Sequence, residues 1–282
     1  MERFSNIMKP PTPRPVPPTP GLIEPEDSIG QRLRGKKVII TGTTHGVGPV
    51  AQELFCMHGA TVCGCGRTPG KADAFAATLR EKGYDAYGFD TDLKDYEATK
   101  KFIDAAAEKM GGIDVLVNNA DMPVMRPFEA TTPDAWHESL AGEIDVKYNA
   151  THAAWEHLKA AKGASIVNVS SISSIWGQRN SPQSAHCAAE AAIMGFTRQI
   201  AGEGADWGIR CNAVLPGIIW TEAMKNLPKQ DQEFGISSTV LAQPIDPLDV
   251  AYMYLLLASD ETRMCTGGEF SVDGGMSCVL VP

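Results

Sequence analysis

Short apolar runs rich in β-branched residues alternate with longer segments of helical periodicity along most of the chain. The short runs are typical of strands, and the longer segments repeat apolar residues every three or four positions, as one face of a helix does. The predicted strands are residues 37–41, 61–65, 86–90, 113–118, 164–170, 210–215 and 269–272. The predicted helices are residues 46–58, 71–82, 96–109, 133–161, 185–205 and 247–259.

Strictly alternating strands and helices, with largely apolar strands, are typical of a parallel sheet that is buried on both faces. The fold class is therefore predicted as α/β, a doubly wound Rossmann-type parallel sheet with helices on both faces. The length of 282 residues would allow two average domains, but α/β units of ~250 residues often fold as one. We expect a single domain over residues 33–282.

A proline-rich stretch precedes this domain. Residues 9–20, KPPTPRPVPPTP, contain seven prolines, which fix φ and remove backbone donors, so the stretch is excluded from helices and central strands. We predict residues 1–32 to be a Pro-rich arm. A polyproline II ligand for an SH3-like partner and a strap across a neighbouring subunit are two interpretations, and a plain extended leader is the simplest.

Charge and hydropathy exclude several classes of partner. The formal net charge is −9, which repels a phosphate backbone and argues against nucleic acid. The longest apolar runs fall short of the ~18–20 residues of a membrane helix, and the N-terminus lacks the apolar segment of a signal peptide. We therefore expect a cytoplasmic protein that does not contact a membrane.

The seven cysteines are an odd number and most lie in apolar segments, which favours reduced, buried thiols over a disulfide framework. Cys63 and Cys65 form a C-x-C pair that would also suit a metal. Alternation along a strand puts both on one face, however, so we interpret them as small core residues.

A glycine-rich turn, Thr41 to Gly48 (TGTTHGVG), joins the first predicted strand to the first predicted helix. Glycines allow a tight turn and let backbone N–H groups and the helix N-terminus approach a pyrophosphate. The strand before the turn and the helix after it make this a prediction of a dinucleotide site.

The spacing T-G-x-x-x-G-x-G resembles that of the short-chain dehydrogenase/reductase (SDR) family, and further family landmarks follow in the same order. Asp92-Leu93 resembles the pair that flanks the adenine, Asn118-Asn119-Ala120 the element after the fourth strand, and Pro216-Gly217 with Thr221 the loop over the nicotinamide. The resemblance spans about residues 35–275. It implies a Rossmann fold, a nicotinamide cofactor, a small-molecule substrate, and a homodimer or homotetramer formed through the two long helices and the last strand. The cofactor-binding residues it implies are Gly42, Thr44, His45, Gly46, Val47, Gly48, Arg67, Asp92, Leu93, Asn119, Ala120, Pro216, Gly217, Ile219 and Thr221.

The second strand indicates which cofactor is bound. An acid at its end would take the ribose hydroxyls of NAD and repel a 2′-phosphate. Here the position reads Cys65-Gly66-Arg67, with a guanidinium that can bind phosphate with two hydrogen bonds. His45 occupies the position where NADPH-binding relatives often carry a basic residue. We predict NADPH, against the alternative that Arg67 is only a solvated loop residue.

The catalytic region departs from the family pattern of Ser, Tyr-x-x-x-Lys and Asn. The serine is present as Ser171, whereas alignment puts His186 at the tyrosine and Glu190 at the lysine. An ungapped alignment from Trp136 puts Glu143 at the asparagine. Asp121 also replaces the last glycine of the family's NNAG element.

Two interpretations of these replacements compete. In one, the fold has lost redox chemistry and binds a ligand, regulates, or catalyses a redox-neutral reaction such as racemisation or dehydration. In the other, His186 is the proton donor, because an imidazole with a pKa near ~6.5 is a competent acid near neutrality. Glu190, one helical turn later, would then orient His186 or the cofactor ribose, Ser171 would polarise the carbonyl, and Glu143 would relay a proton or bind a substrate hydroxyl. We favour the second because the cofactor loops are intact.

Within the family, the stretches GQRLRGKKVIITGTT, QELFC, SPQ and WTEAM resemble the dihydrodaidzein reductases of gut anaerobes. Those members resemble this chain in having His at the tyrosine position and Glu at position 143. The resemblance implies NADPH-dependent reduction of the ketone of an isoflavanone, and so a role in isoflavonoid metabolism. Apolar, adaptable residues suited to a flat substrate are Met122, Met125, Trp176, Trp220 and Met224, although core or lid packing would explain each one equally well.

Overall fold

The computed structural model describes residues 31–179 and 181–279, so residues 1–30 of the predicted Pro-rich arm lie outside the described residues. The strands are β1 (Lys37–Ile40), β2 (Thr61–Gly66), β3 (Ala86–Asp90), β4 (Val115–Asn118), β5 (Ser165–Val169), β6 (Arg210–Pro216) and β7 (Glu269–Val272). The helices are α1 (Val47–Met57), α2 (Lys71–Glu81), α3 (Tyr96–Met110), α4 (Pro133–Leu140), α5 (Val146–Ala161), α6 (Ser184–Gly204), α7 (Glu222–Lys225), α8 (Lys229–Ser237) and α9 (Pro247–Ala258).

The strands form one parallel sheet in the order β3-β2-β1-β4-β5-β6-β7. Helices cover both faces, and successive strand residues point to opposite faces. Ile40 and Val117 pack against α1, α2 and α9, whereas Ile39 and Leu116 pack against α3, α5 and α6. The predicted doubly wound Rossmann fold is confirmed.

The cysteines of β2 lie in the second of these cores. Cys63 and Cys65 share one face of the strand, and burial raises the pKa of each thiol to about 12. The described cysteines are all free thiols. Within the described ranges, no helix has both the length and the apolar character needed to cross a membrane.

The helix predicted over residues 133–161 requires correction, because it is interrupted by a π-helical turn at Ala141–Asp145 between α4 and α5. The loop after β4 crosses the helix at this point, and Met122 N–H donates to the carbonyl of Gly142 at 3.1 Å. A Cβ at Gly142 would lie only 2.6 Å from the carbonyl oxygen of Met122. The helix therefore widens into a π-helical turn where the carbonyl of Gly142 accepts a hydrogen bond from the backbone of Met122. The short helices α7 and α8 were not predicted either.

Buried amides connect the central strands to the helices below the site. Asn118 Nδ2 donates to Thr151 Oγ1 at 2.9 Å and to Asn168 Oδ1 at 2.8 Å, and Asn168 Nδ2 donates to Thr197 Oγ1 at 2.9 Å. These bonds join β4 and β5 to α5 and α6. Because all these groups are buried, each depends on its partner for hydrogen bonding.

We expect Asn118→Ala to lower the free energy of unfolding by ~1–3 kcal/mol, because it leaves two buried hydrogen-bonding groups without a partner. Urea unfolding followed by circular dichroism measures the change. The matched control is Asn226→Ala at an exposed asparagine, for which we expect a change within ~0.5 kcal/mol. Equal unfolding midpoints for the two variants would contradict the role given to the buried amides.

Candidate functional site

A cavity of about 320 Å³ opens at the carboxyl ends of the strands. At this edge the strand order reverses, because β2 and β3 lie on one side of β1 and β4 to β7 lie on the other. Ligands of doubly wound sheets usually bind at such a reversal point. The cavity is lined by most of the residues predicted to bind the cofactor, namely Gly42, Thr44, His45, Gly46, Val47, Arg67, Leu93, Asn119, Ala120, Pro216, Gly217, Ile219 and Thr221.

Two predicted cofactor residues are absent from the cavity wall in the described chain. Gly48 lies behind the glycine-rich turn, where a Cβ would fall 2.0 Å from the carbonyl oxygen of Gly42. Asp92 is exposed, and its carboxylate accepts the backbone N–H of Lys94 at 3.1 Å. Gly48 thus shapes the turn from behind, and a role for Asp92 at the adenine stays a prediction.

The turn is held in a form that fits a pyrophosphate. Asn119 Nδ2 donates to the carbonyls of Thr41 at 2.9 Å and Gly42 at 3.1 Å, and Ala120 N–H donates to Thr41 Oγ1 at 3.0 Å. Helix α1 begins at Val47, and its N-cap residue Gly46 offers no side-chain cap; its first turn also holds no acid. Its first N–H groups are therefore available to an anion.

The end of β2 has no room for an acid at position 66. A Cβ on Gly66 would fall 2.3 Å from Cγ2 of Thr44. The next acid along the sheet edge, Asp90, accepts Gly70 N–H through both oxygens, at 2.9 and 3.0 Å. Arg67 and His45 line the cavity beside this point, so the local geometry suits a phosphate better than a ribose diol held by a carboxylate.

His186 and Glu143 meet inside the protein. His186 lies in the first turn of α6 and lines the cavity, whereas Glu143 belongs to the π-helical turn and is fully buried. A Glu143 carboxylate oxygen is hydrogen-bonded to Nδ1 of His186, and the other oxygen accepts the hydroxyl of buried Ser139. The hydrogen bond at Nδ1 fixes the ring and leaves Nε2 as the nitrogen that can act on a ligand.

The pKa of His186 is raised above its ordinary value. Burial by itself lowers it, but the hydrogen bond to Glu143 and the negative charges of Glu190, Glu143 and Asp121 raise it by more. The imidazolium form is therefore more stable here than in a solvated histidine.

Glu190 lies on the same face of α6, one turn beyond His186, with 3.8 Å between its Oε1 and His186 Nδ1. Its side chain is buried, and neither carboxyl oxygen has a hydrogen-bond partner among the described residues. Burial, chiefly, and the charge of Asp121 raise the pKa of Glu190 to about 8. Glu190 is not among the residues that line the cavity, so the role predicted for it toward the cofactor ribose stays a prediction.

Lys147 completes this buried group, and sequence reasoning missed it. It lies one turn after Glu143 and is 1% exposed. Its Nζ donates to the carbonyls of Glu143 at 3.1 Å and Ala120 at 3.3 Å, and to Oδ1 of Asp121 at 3.3 Å. The i,i+4 spacing from Glu143 was visible in the sequence, but a lysine on a long helix is usually a solvated residue.

Asp121 lines the cavity with its side chain 31% exposed. Desolvation raises its pKa, and the charge of Lys147 opposes that rise. Ligand atoms of Asp121, Glu143, His186 and Glu190 lie within 4.8 Å of one another, a set that would suit a divalent cation. The ammonium of Lys147 already faces Asp121, and this fixed positive charge disfavours a metal ion in the same place.

Ser171 lines the cavity and caps the 3₁₀ turn Ile172–Ser174, its Oγ accepting Ser173 N–H at 3.1 Å. Tyr254 of α9, which the sequence did not reveal, also lines the cavity and donates to Asn119 Oδ1 at 3.3 Å. Other lining residues that were not predicted are Cys65, Gly66, Thr91, Val169 and Ser170.

The predicted substrate residues are not all brought together. Met122 lines the cavity. Trp176 packs against the apolar cluster around Ile172, and Trp220 is half-buried next to the lining residue Thr221. In the same region Met224 is buried, and a Cβ on Gly235 would fall 2.6 Å from its Cε, whereas Met125 is 51% exposed. Their roles toward a substrate stay predictions.

Comparisons with known proteins indicate the family to which the chain belongs. A family model described as enoyl-(acyl carrier protein) reductase matches residues 42–277. The 3-oxoacyl-(acyl-carrier-protein) reductase FabG of Vibrio harveyi is 32% identical over 247 residues, 88% of this chain and 99% of that protein. The 7alpha-hydroxysteroid dehydrogenase of Clostridium sardiniense is 31% identical over 251 residues, 88% of this chain and 95% of that protein. A crystal structure of a short-chain dehydrogenase/reductase from Burkholderia xenovorans superposes with a TM-score of 0.82 at 28% identity, covering 89% of this chain and 99% of that one.

The chain belongs to the short-chain dehydrogenase/reductase family. The relatives named above are oxidoreductases of alcohol and carbonyl groups, and the resemblance drawn from the sequence motifs is confirmed at the level of the family. The finer resemblance to dihydrodaidzein reductases stays a prediction.

We expect Glu143→Gln to lower the pKa of His186 by about one unit or more, because it removes the anion that is hydrogen-bonded to the imidazolium. NMR titration of the ring protons of His186 measures the shift. The matched control is Glu138→Gln, an exposed glutamate on α4, which should leave the titration midpoint in place. An unchanged midpoint in Glu143→Gln would show that the buried pair does not set the proton affinity of the ring.

Proposed function

We propose that the protein is an NADPH-dependent reductase that converts a cyclic or aromatic ketone, such as the isoflavanone dihydrodaidzein, into the alcohol, with His186 as proton donor. The observation that carries this proposal is the buried hydrogen bond between His186 Nδ1 and Glu143. It leaves Nε2 of His186 to act as the acid in a cavity that the glycine-rich turn also lines. Relatives that are named as keto reductases and as a hydroxysteroid dehydrogenase support the reaction class.

The residues present fit a dinucleotide. The N–H groups of the first turn of α1 are available to the pyrophosphate, and Arg67 with His45 would bind a 2′-phosphate. The unpartnered carboxyl of Glu190 would hydrogen-bond a ribose hydroxyl. When bound, NADPH supplies a hydride to the carbonyl carbon of the substrate.

His186 performs the proton transfer. In the imidazolium form, Nδ1–H donates to Glu143 and Nε2–H donates to the carbonyl oxygen of the substrate. As negative charge develops on that oxygen, the Nε2 proton passes to it and a neutral imidazole remains. Ser171 Oγ accepts Ser173 N–H, so its own proton is free to be donated to the same oxygen.

The substrate class rests on the apolar residues near the cavity. Met122 lines it, and Trp220, which is half-buried, precedes the lining residue Thr221 in the chain. An adaptable thioether and an aromatic ring suit a rigid aromatic or polycyclic ketone. Cytoplasmic location and assembly into a homodimer or homotetramer through α5, α6 and β7 accompany this proposal as predictions.

A second candidate is a redox-neutral enzyme, such as a racemase or dehydratase, on the same scaffold. It is favoured by the Asp121 carboxyl, which lines the cavity with a raised pKa close to His186. An acid and a base so arranged would suit proton abstraction next to a carbonyl. Such an enzyme would convert a substrate without consuming NADPH, and a cofactor-binding protein without catalysis would bind NADPH and convert nothing.

We expect the wild-type protein to consume NADPH with isoflavanones in a ketone panel, and His186→Ala to lower kcat by about 10²-fold or more through loss of the general acid. Absorbance of NADPH and chromatography of the alcohol product measure the reaction. His137→Ala, at an exposed histidine of α4, is the matched control. Full turnover in His186→Ala would remove the proposed proton donor.

We expect Arg67→Ala to raise the KM for NADPH about 10-fold or more while leaving the KM for NADH nearly unchanged, because only the 2′-phosphate contacts the guanidinium. Initial rates with the two cofactors measure the ratio. Lys71→Ala, at an exposed cation in the first turn of α2, is the control for a general loss of positive charge. Equal losses with both cofactors would count against recognition of the 2′-phosphate by Arg67.

A further inference from the structure

The ammonium of Lys147 is buried and its hydrogen bonds are complete. Its three acceptors, the carbonyls of Ala120 and Glu143 and the carboxylate of Asp121, lie at 3.1 to 3.3 Å. An ammonium has three N–H donors, so each is used. Because the side chain is 1% exposed, the cation is fixed and weakly screened by solvent.

This cation stands beside a group that is rich in negative charge. Asp121, Glu143 and Glu190 come from the loop after β4, the π-helical turn and α6, and their oxygens lie within 4.8 Å of one another and of the imidazole. Three ionised carboxylates and one imidazolium would leave a net negative charge in a buried place, which is unfavourable without a further cation. Burial accordingly raises the pKa of Glu190 to about 8 and that of Asp121 above its ordinary value. Lys147 acts electrostatically on both Asp121 and Glu190.

The sequence pattern puts the usual lysine of this family at position 190, on α6, where this chain has glutamate. In this structure the positive charge comes from Lys147 of α5 instead. The lysine amino group therefore reaches the buried cluster from α5, while α6 contributes the carboxyl of Glu190.

We propose that Lys147 is a positioning residue of the proposed reduction, a relocated cation that holds Asp121 in place at the cavity wall and keeps the buried carboxyls in the arrangement that supports His186. This assignment rests on the proposed function only for its effect on turnover. The charged groups that act on His186 are Glu143 of the π-helical turn, Glu190 of α6 and Asp121, and Lys147 acts on the last two.

The sign of the effect follows from charge. Removing a cation makes protonation of the neighbouring carboxyls easier, so the pKa of Asp121 and the pKa of Glu190 both rise when Lys147 is lost. Asp121 also loses its hydrogen bond to Lys147, which no longer fixes the position of its carboxyl at the cavity wall. A lysine introduced at position 190 of α6 supplies a new cation near Asp121 and lowers the pKa of Asp121 again.

The experiment compares Lys147→Met, Lys147→Arg and the double variant Lys147→Met with Glu190→Lys. Carbon NMR of labelled carboxyl groups follows the titration of Asp121 and Glu190, calorimetry gives the affinity for NADPH, and kcat is measured with the ketone that the wild type reduces. In Lys147→Met we expect the Asp121 titration to move up by about one unit or more and kcat to fall at least about 10-fold. Lys147→Arg should stay near the wild type in titration, and the double variant should recover most of the Asp121 midpoint and of kcat.

Lys159→Met, at the other end of α5, is the matched control and should leave the titration, NADPH binding and kcat unchanged. If Lys147→Met does not fold, the double variant carries the test, because it keeps one cation in the group and should fold with a nearly wild-type Asp121 midpoint. An unshifted Asp121 titration in Lys147→Met would overturn the proposal, and so would a double variant no better than the single one. Because the titration needs no turnover, an inactive wild type would remove the proposed function and still leave this assignment decided.

Discussion

The hydrogen bond between the Glu143 carboxylate and the His186 imidazole joins the π-helical turn to α6 beside the cavity. Glu143 reaches the ring because the helix before β5 opens into a π-helical turn, and the turn opens because the carbonyl of Gly142 accepts Met122 N–H. The position of one side chain thus depends on a backbone contact with the loop after β4. The same loop carries Asp121 and lies directly after Asn119, which holds the glycine-rich turn.

Two sets of constraints therefore meet at the carboxyl edge of the sheet. The buried amides of Asn118 and Asn168 fix β4 and β5 against the helices beneath, and Asn119 fixes the phosphate turn against the end of β4. The positions of the His186 ring and of the dinucleotide turn therefore both depend on contacts with the end of β4 and the loop after it. Distances between the reacting groups are consequently set by the sheet, which is the rigid part of the protein.

The fold was predictable from the sequence because it depends on periodicity and on glycine positions, which are local properties. Strand and helix types agreed with the structure, and ends shifted by a residue or two, as at β4. The π-helical turn was not predictable, because it arises from a contact with Met122, twenty residues away in the chain. Lys147 was missed for a similar reason, since only the tertiary arrangement turns its helix face toward Asp121. The pairing of Glu143 with His186 was half visible, because alignment marked both positions but left open whether they touch.

The charged residues of this site differ from the family pattern in a way that follows from the chemistry of the proposed acid, His186. A phenol donor becomes an anion when it gives up its proton, so a neighbouring lysine favours the transfer. An imidazolium donor is a cation before transfer, so neighbouring carboxylates are needed to keep it charged in a buried place. Glu143 supplies such an anion through its hydrogen bond to the ring, whereas burial raises the pKa of Glu190 to about 8. The ionised carboxylates of Glu143 and Asp121 together exceed what one imidazolium balances. A lysine is then needed at a distance from the ring, and Lys147, bonded to Asp121 rather than to His186, meets that requirement.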